Sequence, residues 1–178
     1  VWFWRLAGRG GANVGLTCSP VWEVVVPRVS ATARAGSFGA LNDVNGDGYM
    51  DMVVGSDRGA SVYVYFGGTA GFPSSPSQTL SGTTVSQFGY AVDAAGDTNG
   101  DGYGDVIVGL PGSSLARVYR GSAAGLVTSS WTTLGVSGVN GVGGSVSWAG
   151  DVDGDGYGDV IVGACWSGAV CASRAYVF

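Results

Sequence analysis

The chain has 178 residues, 46% of them hydrophobic and only 12% charged, which is enough apolar side chain to bury a core. Its net charge is −5, it has no lysine, and its eight arginines are scattered, so it lacks the clustered basic face of a nucleic-acid binder. Thirty-four glycines, many short apolar runs and no helix-length amphipathic pattern predict an all-β fold, and the longest apolar run, residues 21–27, is far too short to span a bilayer.

In chain order, residues 1–33 come first. VWFW at 1–4 matches VYVY at 62–65, and GLTCSPVW at 15–22 matches GLVTSSW at 125–131, so this stretch reads as the later half of a unit that recurs downstream. The chain opens at Val1 with neither a methionine nor a leader peptide, the pattern of a processed or trimmed product.

Three loops then follow at a spacing of 54 residues: DVNGDGYMD at 43–51, DTNGDGYGD at 97–105 and DVDGDGYGD at 151–159. Oxygen-bearing side chains stand at loop positions 1, 3, 5 and 9: Asp43, Asn45, Asp47 and Asp51; Asp97, Asn99, Asp101 and Asp105; Asp151, Asp153, Asp155 and Asp159. A hard divalent cation that takes six to eight oxygens needs such convergence, and the backbone carbonyls of Tyr49, Tyr103 and Tyr157 at position 7 add a further donor. An ordinary solvated turn has a similar composition, but three copies at one period argue against it. An EF-hand would need Glu at position 12 and flanking helices; here that position is Val54, Val108 and Val162, inside short β-branched runs. The expectation is therefore three Ca²⁺ per chain, each held in a loop between two β-strands. Ten of the thirteen acidic residues lie in these loops, so three such ions would bring the formal charge to about +1.

Around each loop the same elements recur. Strands are predicted within 87–97 and 142–151 before the second and third loops, and in the apolar runs that follow all three. Third strands read VYVYFGG at 62–68, RVYRG at 117–121 and RAYVF at 174–178, with weaker fourth strands near 77–81 and 130–135. Four antiparallel strands in about 54 residues is the size of one β-propeller blade.

Phe88-Gly89, the DTNGDGYGD loop and VGLP at 108–111 together resemble the FG-GAP repeats of integrin α-subunit propellers and their bacterial relatives, over roughly residues 34–178. The resemblance implies a calcium-stabilised β-propeller of four-stranded blades, about three blade equivalents in this chain. These are a partial blade at 1–33, blades at 34–87 and 88–141, and an incomplete blade at 142–178. Departures are visible. Phe38-Gly39 lies only five residues before Asp43, and Arg34 stands where Phe88 stands in the next repeat; GAP becomes GSD at 55–57 and GAC at 163–165; the third FG is Val142-Gly143. Fewer than four blades cannot close a ring, so self-association or membership of a larger propeller is expected.

Of three cysteines, Cys165 and Cys171 bracket WSGAV and would close a small loop in an oxidising compartment; two unrelated buried thiols are the alternative, and Cys18 is left single. Histidine is absent and Glu23 is the only glutamate, so a Ser-His-Asp relay is impossible and an enzyme is not expected. Asp57 and Asp93 are the aspartates left outside the loops. The resemblance implies an extracellular, cell-surface recognition module whose protein ligand binds the face opposite the calcium loops, offered here by Asp57, Arg58, Leu110, Ser113 and Trp166. The alternatives are a glycan-binding lectin using tryptophan faces, and an architectural module of a surface assembly. Trp2, Trp4, Trp22, Trp131 and Trp148 fall in predicted strands and are expected to pack between blades.

Overall fold

The computed structural model describes residues 43–164 and 174–178, all within the unit Arg34–Phe178. Expectations for 1–33, for Arg34 and Phe38-Gly39, and for Cys18, Cys165, Trp166 and Cys171 lie outside the described residues.

The described residues form ten strands in three antiparallel sheets. β1 (Met52–Ser56), β2 (Ser61–Tyr65) and β3 (Gln78–Ser81) make the first; β4 (Val92–Gly96), β5 (Asp105–Leu110), β6 (Leu115–Tyr119) and β7 (Thr132–Leu134) the second; β8 (Val142–Gly150), β9 (Asp159–Ala164) and β10 (Arg174–Val177) the third. Each strand pairs with its neighbour in sequence, so every sheet is a meander. The second sheet alone shows four strands. The registers repeat: Met52 opposes Tyr65 and Val106 opposes Tyr119, and the Val160 and Phe178 backbones exchange both hydrogen bonds.

Period-2 alternation sends the second sheet's side chains to two different cores. Val106, Val108 and Leu110 of β5, with Phe88 and Tyr119, pack on Val62, Val64 and Leu80 of the first sheet. Ile107 of β5, with Ala116 and Val118, packs on Val142, Val160 and Val162 of the third. The second sheet is covered on both faces, which is why all of β5 is buried and reads as a continuous apolar run.

Glycines set how closely the sheets approach. A Cβ on Gly109 would sit 2.1 Å from the Gly143 carbonyl oxygen, and one on Gly55 2.3 Å from that of Gly89. Gly55 near the end of β1 and Gly109 near the end of β5 thus meet the FG glycine of the next repeat, and Val142-Gly143 occupies that place in the third despite its altered sequence.

Two sequence expectations change. The strand expected within 87–97 begins only at Val92. Gln87 has φ of 55° and its carbonyl accepts the Tyr90 N–H, so the chain turns here and buries Phe88, edge-on to Tyr119 at 6.2 Å. Trp131 precedes β7 and is 44% exposed, outside both cores, whereas Trp148 of β8 lies against Gly96 between the second and third sheets.

Candidate metal centres

The acidic loops lead into β1, β5 and β9, and in the second and third repeats the loop directly follows β4 or β8. One hydrogen-bond pattern recurs in all three. The first aspartate gathers the backbone around itself: Asp43 Oδ1 accepts the N–H groups of Gly46 (2.8 Å) and Asp47 (3.1 Å), and its Oδ2 that of Gly48 (2.9 Å). Asp97 does the same with Gly100, Asp101 and Gly102, and Asp151 with Gly154, Asp155 and Gly156. Glycines at positions 4 and 6 take positive φ, 72° and 88° in the first loop, so successive N–H groups turn inward without a Cβ penalty. Position 5 caps position 7 (Asp47 Oδ1 accepts the Tyr49 N–H at 2.9 Å), and Asn45 Nδ2 donates to Asp47 Oδ2 at 2.9 Å.

The ninth position does more than its spacing indicates. Asp51 is 2% exposed and Asp105 fully buried. Asp51 Oδ2 accepts the Val44 N–H within its loop, and its Oδ1 accepts the Gly67 N–H beyond the end of β2. Asp105 bonds in the same way to the N–H groups of Thr98 and Gly121, and also accepts the Thr98 hydroxyl. These carboxylates tie the loop to the third strand of the same sheet. Burial pushes both above the usual carboxylate range, against the lowering effect of their donors. Asp159 is half-buried and accepts the Val152 N–H.

Carboxylate oxygens of Asp151, Asp153 and Asp159 all lie within 4.8 Å of one another. Calcium–oxygen bonds of about 2.4 Å span such a set from its middle. In the other two loops position 3 is Asn45 or Asn99, whose carbonyl oxygen is also a suitable donor. An ionised carboxylate has roughly four lone-pair sites, so the first and ninth aspartates keep acceptor capacity beyond their backbone bonds. The donor set fits a hard cation in chemistry in all three loops, and in size in the third.

Consecutive loops interlock, a feature the sequence reading missed. The Gly104 N–H donates to the Asp43 carbonyl, and the Gly158 N–H to the Asp97 carbonyl, both at 2.9 Å. The position-7 tyrosine lies on the position-4 glycine of the preceding loop: a Cβ on Gly46 would be 2.7 Å from Tyr103, and one on Gly100 2.7 Å from Tyr157. The signal was present as the invariant Gly-Tyr pairing at one period, but only the stacking of repeats shows what it touches.

At the other end of the strands, Asp57 and Arg58 occupy the β1–β2 turn and exposed Ser113 the 3₁₀ turn after β5. Leu110 does not belong with them: it is 1% exposed and packs in the first core. Asp93 is not spare either, since its Oδ2 accepts the hydroxyl of Ser147 on β8 at 2.6 Å and its Oδ1 the Ala94 N–H.

The FG-GAP-like repeat family matches residues 43–108, and the FG-GAP repeat family matches residues 142–171. The chain belongs to the FG-GAP repeat family. This FG-GAP chain is 37% identical over 149 residues to integrin alpha-3 of Cricetulus griseus, covering 74% of the chain and 14% of the relative. It is 40% identical over 144 residues to human integrin alpha-6, covering 73% and 13%, and 34% identical over 154 residues to integrin alpha-7 of Rattus norvegicus, covering 80% and 14%. The FG-GAP chain thus spans about one seventh of the length of the curated relatives it matches.

Proposed function

We propose that the chain supplies blades of an extracellular, calcium-stabilised β-propeller that acts as an adhesion module for a protein ligand. The observation that carries this reading is the recurrence of one carboxylate cradle in three loops that interlock from repeat to repeat. Asp43, Asn45, Asp47 and Asp51, with the Tyr49 carbonyl, hold one ion; their counterparts at 97–105 and 151–159 hold two more. Each ion neutralises carboxylates that would otherwise repel across a few ångströms. Its role is structural: it fixes the loop against which the next repeat docks. Likeness to integrin alpha subunits supports the adhesion role and the cell-surface setting. Asp57, Arg58 and Ser113 form the ligand-facing end; Trp166, named from the sequence for the same role, lies outside the described residues.

Sheets stacked face to face support the blade reading, with further blades joining at two faces left uncovered among the described residues. Met52 and Val54 are 38% and 40% exposed, whereas their counterparts Val106 and Val108 are fully buried under the preceding sheet. On the third sheet Val177 is 51% exposed where the corresponding Val118 is 4%. Those faces are apolar enough to take another blade, from a longer chain or a second copy.

The test combines native mass spectrometry in calcium with thermal melting before and after chelation by EGTA. Three ions per chain and a lowered melting temperature on chelation are expected. Absence of retained ions with an unmoved melt overturns the calcium reading.

A further inference from the structure

Apart from the ion loops and the ligand-facing turns, a notch of about 140 Å³ opens beside the outer strand of the second sheet, lined by Arg120, Ser130, Trp131 and Thr132. Among the described residues no carboxylate lines it. Trp131 is 44% exposed, although tryptophan is ordinarily well buried. Its ring is held from within: the Arg117 guanidinium carbon lies 4.5 Å from the ring centroid, and Tyr119, itself buried, is tilted against it at 5.8 Å. A rigid indole supported on one side by a cation and a phenol presents its remaining surface as a flat platform. Beside it stand two exposed hydroxyls, Ser130 and Thr132, and the exposed Arg120. The Nε of Arg117, whose guanidinium packs on the indole, is buried and has no hydrogen-bond partner.

We infer that this notch is a binding site for an acidic saccharide, one sugar ring stacking on Trp131 while its carboxylate pairs with Arg120. The chemistry selects the class. A pyranose offers an apolar C–H face for the indole, hydroxyls for Ser130 and Thr132, and, in a uronate, a planar carboxylate that matches a guanidinium fork. Volume selects the size: sites for drug-sized ligands run to about 300–1,000 Å³, so this notch takes one residue of a longer glycan rather than enclosing a small molecule. The site lies apart from the turns proposed to meet a protein ligand.

The experiment is ¹H–¹⁵N NMR of the full chain in calcium-containing buffer, following the Trp131 indole resonance, assigned by its loss in Trp131→Phe. Tetragalacturonate is titrated in, with a neutral tetrasaccharide and tetraglutamate as comparison probes. The expected result is a saturable shift of that resonance with the uronate, at least tenfold weaker binding of the other two, and weakening with salt. Arg120→Gln, an exposed substitution, is expected to weaken uronate binding at least tenfold at an unchanged melting temperature. Trp131→Phe keeps a smaller platform and is expected to retain part of the affinity by calorimetry. An unmoved Trp131 resonance, equal binding of the neutral sugar or of tetraglutamate, or full affinity in Arg120→Gln overturns the assignment.

Discussion

Asp51 and Asp105 show how one aspartate serves two ends. Each is buried where it ties its loop to the end of β2 or β6, and burial disfavours the charge that the proposed ion would require. Asp43 and Asp47 beside Asp51, and Asp101 beside Asp105, raise the two carboxyls further. A carboxyl whose folded pKa lies above its unfolded value costs stability at neutral pH, and that cost is relieved as pH falls through the raised value toward 3.8. In calcium-free protein, lowering the pH from 7 to 5 should therefore raise the melting temperature, and Asp105→Asn should flatten that rise. Calcium-loaded protein should respond oppositely, because protonation competes with the ion. Parallel melts with and without EGTA check both signs; a fall of equal slope in both would mean that burial of these carboxylates does not govern the response. The spacing of oxygen-bearing side chains at positions 1, 3, 5 and 9 was legible in the sequence. The anchoring bonds to Gly67 and Gly121, 16 residues away, were not, because they join atoms that only strand pairing brings together.

Among the elements, glycine carries the fit between sheets. Gly109→Ala places a Cβ 2.1 Å from backbone oxygen of the neighbouring repeat, where no side chain can rotate aside. Overpacking costs of about 1–3 kcal/mol are the expected floor, read as a lower midpoint in urea. Gly68→Ala, at a position with nothing within 4 Å and no positive φ, should leave the midpoint within about 0.5 kcal/mol of the parent. Equal effects at the two sites would contradict the close-approach account. The second and third strands of each repeat were readable from their β-branched runs and periodic spacing. The segment around Phe88 misled because alternation continues through QFGYAV, while the core's demand for an aromatic at Phe88 bends the backbone there. Trp131 misled for the opposite reason: an apolar residue beside a strand reads as core, yet it sits outward on Arg117.

At the level of the molecule, the repeats form a stack with a recurring junction and two uncovered ends among the described residues. Val54→Asp places a charge on the open face of the first sheet and should leave the melt nearly unchanged. Val108→Asp places the same charge at the corresponding buried site and should unfold the protein, since an unpaired buried carboxylate has no compensating partner. Circular dichroism melts of the two variants decide this, and strong destabilisation by Val54→Asp would show that its face is already covered.

The sequence by itself determined the repeat, the four oxygen-bearing side chains of each loop and the β-strands that flank them, because those depend on local spacing and on side-chain chemistry that survives without a partner. Tertiary structure alone decided which carboxylates are buried anchors, that Leu110 and Asp93 are committed to packing and bonding within the protein, and that Tyr103 and Tyr157 lock each loop to the one before. Those outcomes depend on which face of a strand meets its neighbour, and a period of two tells a residue's face without telling what lies across from it.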